Sequence, residues 1–227
     1  MEQRNDRRLD PRMPPPQPPA LHTPLVWAGG GLLLTLTMWF TGMVALFRGF
    51  PRARILPYIG AQVVGFFVGT LLVRIVYSGP ITAIDPGLTI ATQGIFSTLP
   101  GNGNNALQVS IGLALFDQVV GTAALLFLIF AITDPRGSNP SPALTAIAVG
   151  LVVVGIGYAL GTDAGYAINP ARDLGPRLME WVTGWHGAWL DQNGFPYFWV
   201  PIVGPIIGGV LGGGLYQITV ARALPAD

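Results

Sequence analysis

Asn169, Arg172 and Asp173 are the polar residues whose types and spacing could handle a solute, and they fall in one short run, GYAINPARDLGPRL, residues 165–178. An Asn side chain presents two N–H donors and a carbonyl, and an Arg adds five fixed donors with a permanent charge. Asn169 is a good N-cap and Pro170 suits the first helical position, so a helix is predicted from Pro170 through Ala171 to about Val182, ahead of Gly184. Arg172 then lies one turn beyond Asn169 on a similar face, and Tyr166, three residues before it, could form an apolar wall. Asp173 is expected either to balance Arg172 or to lie near the positive helix end. This chemistry would hold an uncharged molecule by hydrogen bonds. No nucleophile–base pair, metal spacing or phosphate loop accompanies it, there is no cysteine, and His22 and His186 are far apart. Neither an enzyme nor a resident cofactor or metal is expected.

The surrounding elements read as membrane spans. Charged residues are 10% and apolar residues 51% of the 227, against about 25% charged in an average soluble domain. A net charge of +1 gives no reason to expect nucleic acid. Stretches long enough to cross a bilayer occur at Leu25–Phe47, Ile55–Tyr77, Ala106–Thr133, Ser141–Thr162 and Phe195–Ala221, each meeting the need for about 20 helical residues. Ahead of them, residues 1–24 are charged and then proline-rich, and are expected to form a disordered tail. The remainder, 25–225, is expected to be one transmembrane channel domain. Arg74 and Asp117 fall inside spans and should lie near an interface, or face protein or water.

Basic residues suggest orientation. Arg48, Arg52 and Arg54 cluster in one connection, Arg136 and Arg222 mark two others, and 78–105 has none. The positive-inside rule places the first three sites in the cytosol and 78–105 outside. Alternation then puts 169–194 on the outer side, although it carries Arg172 and Arg177. A helix from 170 to 182 is only about 20 Å long, too short to cross. It could instead be a half-helix whose N-terminus, with unpaired N–H groups and about half a positive charge, points into the membrane. Spacing alone equally allows an ordinary capped amphipathic helix on the outer surface.

Two further patterns concern packing. PYIGAQVVGFFVG (57–69) can be laid over PIVGPIIGGVLGG (201–213), matching Pro57, Gly60, Gly65 and Gly69 with Pro201, Gly204, Gly209 and Gly213. With the opposite orientations assigned above, this suggests two inverted halves, the first short by about two helices. Gly65 with Gly69, Gly157 with Gly161, and Gly209 with Gly213 are expected to allow close helix approach.

The segment 165–178 closely resembles the second signature of the aquaporin superfamily, in its aquaglyceroporin branch, which carries an Asp after the Arg. ALFRGFPRARILPYIGAQ, GIFSTLPGN, FDQVVGTAALLFLIFAITDP and PYFWVPIVGPIIGG also resemble that family, so the likeness covers about residues 41–225. The resemblance implies an all-α, inverted-repeat bundle with a re-entrant half-helix, usually a homotetramer with one pore per subunit. It further implies passive passage of glycerol, small neutral polyols and water, in a plasma membrane rather than an intracellular one. By match, Asn169, Pro170 and Ala171 form the outer NPA turn, and Arg172 and Tyr166 belong to the selectivity constriction with Asp173 beside them. Gly165 and Ala167 present backbone carbonyls. A donor pair facing an aromatic wall suits glycerol, whose hydroxyls lie along one edge and CH groups along the other.

One departure stands out. The equivalent first Asn-Pro-Ala is replaced by Thr37, Met38 and Trp39, and the two spans expected upstream are absent, so the bundle reads as N-terminally incomplete. Leu25–Phe47 is long enough for one crossing or for a lead-in with a half-helix, not both. The alternative to a channel is therefore a non-conducting truncated paralogue or an incomplete gene model.

Overall fold

The computed structural model describes Phe47, residues 51–137 and residues 140–225. The tail 1–24, the first stretch apart from Phe47, and Thr37, Met38 and Trp39 lie outside the described residues. A 3-10 turn, Arg52–Arg54, leads into α1 (Ile55–Val76), followed by the short helices α2 (Ser78–Ile84) and α3 (Ile90–Gln93). Turns at Pro100–Gly103 and Asn105–Leu107 precede α4 (Ile111–Ile132) and α5 (Pro142–Ala164). Then come α6 (Pro170–Thr183), α7 (Val200–Ile218) and α8 (Val220–Ala223). The β structure among the described residues is an isolated bridge between Leu190 and Pro196. Four described helices are long and apolar enough to cross a bilayer: Ile55–Val76, Ile111–Ile132, Pro142–Ala164 and the continuous Val200–Ala223.

Local chemistry sets the ends. α4 starts at Ile111 rather than at Ala106 because Ser110 caps it, its side chain accepting from Leu113 N at 3.1 Å. Gln108, at φ 52°, turns the chain just before. α7 starts at Val200 rather than Phe195, because Asp191 Oδ1 accepts from Asn193 N at 2.8 Å and Phe195 N at 2.9 Å and folds that segment into a turn. Tyr197 N then bonds Trp189 O at 3.0 Å.

The glycines expected to bring helices together act differently from the expectation. α7 approaches α4 through Gly204, Gly208 and Gly212, a stripe with a spacing of four. A Cβ at Gly204 would lie 2.6 Å from Gln118 Cβ, and at Gly208 and Gly212 it would overlap the carbonyls of Val119 and Ala123. Gly213 instead faces the rings of Phe47 and Phe130. Among the described residues Gly157 and Gly161 face Tyr166 rather than a neighbouring helix: a Cβ at 161 would meet Tyr166 Cδ1 at 2.9 Å, so these glycines make a bed for an aromatic ring. α6 packs on α1 at Gly175, where a Cβ would lie 2.6 Å from Phe66 Cβ and 2.8 Å from Val63 O.

The C-terminal ends of α4 and α7 meet at Asp134. Its carboxylate accepts from Arg136 N, Nε and Nη2 at 3.0–3.1 Å and from Tyr216 Oη at 2.7 Å. The Arg136 hydrogen bonds act first and outweigh burial, and with the Tyr216 bond they hold the carboxyl well below its ordinary range. On the opposite side Asp85 organises the turn into α3. Burial there acts to raise its pKa, but donation from Thr92 Oγ1 (2.8 Å), Thr89 N (2.7 Å) and Thr89 Oγ1 (3.1 Å) wins and lowers it.

Candidate functional site: the half-helix tip and its outer clamp

α6 begins where Asn169, in extended backbone at φ −155°, turns its side chain back so that Oδ1 accepts from Ala171 N at 2.9 Å. Pro170 follows at the first helical position. At 14 residues the helix is about 21 Å long, half a membrane's depth. Its first-turn N–H groups carry the positive end of the helix dipole.

The lead-in 165–168 is held in an unusual backbone. Gly165, Tyr166 and Ile168 all have positive φ, 72°, 40° and 43°. The latter two are uncommon for side-chain-bearing residues and cost energy that surrounding contacts must offset. Gln118 on α4, fully buried, supplies those contacts: its Oε1 accepts from Ile168 N at 2.9 Å and its Nε2 donates to Ala164 O at 3.0 Å. A single amide thus brackets the loop at both ends. Asp117 beside it accepts from Gln118 Nε2 at 3.3 Å, while its own Oδ1 is buried without a hydrogen-bond partner.

Tyr166 lies against the glycine bed of α5 and under the Arg172 guanidinium, whose carbon is 5.8 Å from the ring centroid. Arg172 Nη1 donates to Phe96 O at 3.1 Å, so the cation is fixed between an aromatic face and a carbonyl of the loop after α3. Ala167 and Ala171 are buried, and Asn169 is 7% exposed. The structure therefore brings Tyr166, Asn169 and Arg172 together around the start of α6.

Asp173 lies in the first turn of α6, near its positive end, the second of the two expected placements. It does not balance Arg172. It is fully buried, pairs with Arg177 Nε one turn on, and accepts from Thr98 N at 2.7 Å and Thr98 Oγ1 at 2.6 Å. Arg177 also donates to Thr98 O and Ala188 O, and stands 5.3 Å from the Tyr197 ring. The reason is helical geometry: Asp173 and Arg177 share a face at a spacing of four, whereas Arg172 points to the neighbouring face. Burial drives the Tyr197 hydroxyl above its ordinary pKa, so that phenol stays neutral.

Sequence reasoning missed this clamp. Arg177, Glu180 and Gln118 had a legible signal, either a charged i, i+4, i+7 face on α6 or the amide in FDQ. Thr98, which Asp173 and Arg177 grip, lies in GIFSTLPGN, a stretch without charge that left no local mark. Other ties close the same surface: Trp185 Nε1 to Thr92 Oγ1 at 3.1 Å, Gln93 Nε2 to Ala188 O at 3.3 Å, and Gln192 Nε2 to Pro100 O at 2.9 Å. Arg74, near the end of α1, stacks 5.2 Å from the Trp185 ring.

Apolar helices of spanning length, surrounding a short capped helix whose tip is buried among them, define an integral membrane protein built on a re-entrant half-helix. The sequence pattern of the family described as "Major intrinsic protein" matches residues 39–216, and the chain belongs to that family, one of channels and not of enzymes. Among its relatives, the propanediol uptake facilitator PduF of Salmonella typhimurium is 35% identical over 211 residues, 88% of this chain and 76% of that protein. The glycerol uptake facilitator protein of Pseudomonas aeruginosa is 38% identical over 190 residues, 80% of this chain and 66% of that one. The X-ray structure of the aquaglyceroporin from Plasmodium falciparum superposes with a TM-score of 0.73 at 26% identity, covering 88% of this chain and 84% of its own. The fold is thus an aquaporin-like helical bundle.

Proposed function

We propose that the chain is a passive channel for glycerol, small neutral polyols and water, acting as a homotetramer in a plasma membrane, with residues 25–225 as the channel domain. The observation that carries this reading is Arg172, fixed on Phe96 O at 3.1 Å and stacked 5.8 Å from the Tyr166 ring, one turn from the Asn169 cap. In this reading Arg172 and Asn169 donate to successive hydroxyls of a polyol, and Tyr166 covers its CH edge. The Gly165 and Ala167 carbonyls accept the hydroxyl protons. A solute loses water one hydrogen bond at a time and regains each from the wall, so no energy input is needed. The helix dipole of about half a charge adds to the Arg172 cation and disfavours cations in the same path. Asp173 acts beneath the constriction, holding Thr98 and Arg177 rather than touching solute.

The test is glycerol-driven volume recovery of proteoliposomes carrying the full chain. Recovery faster than in empty vesicles supports the reading, and equal rates reject it. Arg172→Val should lower glycerol relative to water permeability about tenfold, the scale of one charge-assisted hydrogen bond.

A further inference from the structure

Glu180 is the acid in α6 that the reading above leaves without a role. It is fully buried, and among the described residues its Oε2 has no hydrogen-bond partner. It also sits in the last turn of α6, where Gly184 N and Trp185 N already close on its backbone carbonyl at 3.0 and 2.9 Å. A carboxylate there is disfavoured by burial, by the unpaired oxygen and by the negative end of the helix dipole. An apolar side chain would fill the space without those costs. What the acid supplies is directional: Oε1 accepts from Ser97 N at 3.3 Å, sharing that N–H with Gln93 O at 3.2 Å.

Ser97 lies between two residues that already touch the candidate site. Phe96 O receives Arg172 Nη1, and Thr98 N and Oγ1 donate to Asp173. Three consecutive residues of the outer loop are therefore gripped by three side chains of α6. Asp173 fixes one end of the tripeptide, Glu180 together with Gln93 O fixes the peptide plane between Phe96 and Ser97, and that same plane carries the carbonyl that holds Arg172. Because a peptide unit is planar and rigid, orienting its N–H orients its C=O. We infer that Glu180 is a positioning residue for solute selectivity, setting the Phe96 carbonyl that aims Arg172 through its bond to Ser97 N. The inference rests on the channel reading of the Arg172 constriction.

The experiment compares wild type, Glu180→Leu and Glu180→Gln as full chains in proteoliposomes, measuring water and glycerol permeability together with amide hydrogen exchange over residues 94–103. Glu180→Leu removes the side-chain acceptor and leaves Ser97 N to Gln93 O alone. The peptide plane can then tilt, and the glycerol-to-water permeability ratio should fall about threefold to tenfold, the factor one net hydrogen bond confers. Exchange should quicken over 94–103 relative to the four spanning helices. Glu180→Gln keeps an acceptor oxygen and should restore most of both. An unchanged ratio in Glu180→Leu, or a Glu180→Gln form as impaired as Glu180→Leu, overturns the inference. Should wild type pass neither solute, the channel reading fails by itself, and exchange then decides: quickened in Leu and restored in Gln upholds the positioning role, equal in all three overturns it.

Discussion

Helices α1 and α7 share a register yet meet the rest of the molecule in opposite ways. Laying Pro57 on Pro201 aligns Gly60, Val64, Val68 and Leu72 with Gly204, Gly208, Gly212 and Tyr216. In α7 that stripe is buried against α4, with Tyr216 bonded to Asp134 at its end. In α1 the same stripe is open among the described residues: a Cβ at Gly60 would meet nothing within 4 Å, and Val64, Val68 and Leu72 are exposed. Of the spanning window of α1, 6% is buried, against 39% for Val200–Ala223. A glycine stripe lets backbones touch, and dispersion between close backbones holds helices together where no hydrophobic effect separates protein from lipid. Branched residues at the same positions keep a neighbour at arm's length. Symmetry in a repeat thus marks where a helix turns its face, while side-chain size decides what can meet it.

That contrast can be broken most directly at its tightest point. Gly212→Leu forces a side chain onto the Ala123 carbonyl and should cost about 3 kcal/mol or more, read as a large drop in melting temperature of the detergent-solubilised protein. A melting temperature equal to that of wild type would show that the α4–α7 seam is not what secures α7. Next in size, Gly175→Leu wedges α6 from α1 at Phe66, an overpacking cost of about 1–3 kcal/mol. Because α6 also carries Arg172, glycerol flux should fall along with stability. Loss of stability with full flux would separate the α1 contact from the site.

The Asp134–Tyr216 tie sharpens the contrast through pH. Its carboxyl is held below its unfolded value near 3.9, so its contribution is complete above that pH and disappears as pH falls through the lower folded value. Asp134→Asn should therefore lower the melting temperature at pH 7, with a cost of roughly 1–3 kcal/mol, and the gap to wild type should narrow below about pH 4. A gap independent of pH would remove the charge from the account. The smallest effect belongs to α1: Gly60→Leu should change stability by no more than about 0.5 kcal/mol. A loss comparable to that of Gly212→Leu would mean that the open stripe is covered after all.

Much of this molecule is local in origin and so legible along the chain. The start of α6 follows from Asn169 and Pro170, because a cap and a fixed φ need no distant partner. The four described spanning helices follow from the length of their apolar runs, and their starts moved by more than one residue only where Ser110 and Asp191 imposed a cap and a turn. Gly157 and Gly161 were legible as small, but not as the seat of Tyr166, since that depends on the left-handed turn at Gly165 and Tyr166.

The pairing of Asp173 with Thr98, of Gln118 with Ile168, and of Glu180 with Ser97 belongs to the fold. Caps and apolar lengths arise from neighbours in sequence, and they dictated the spans and the half-helix. Which buried donor meets which acceptor was settled when packing brought segments 50 to 83 residues apart within hydrogen-bond reach. In a membrane interior without water to stand in, those partners are obligatory, yet nothing in the local sequence names them.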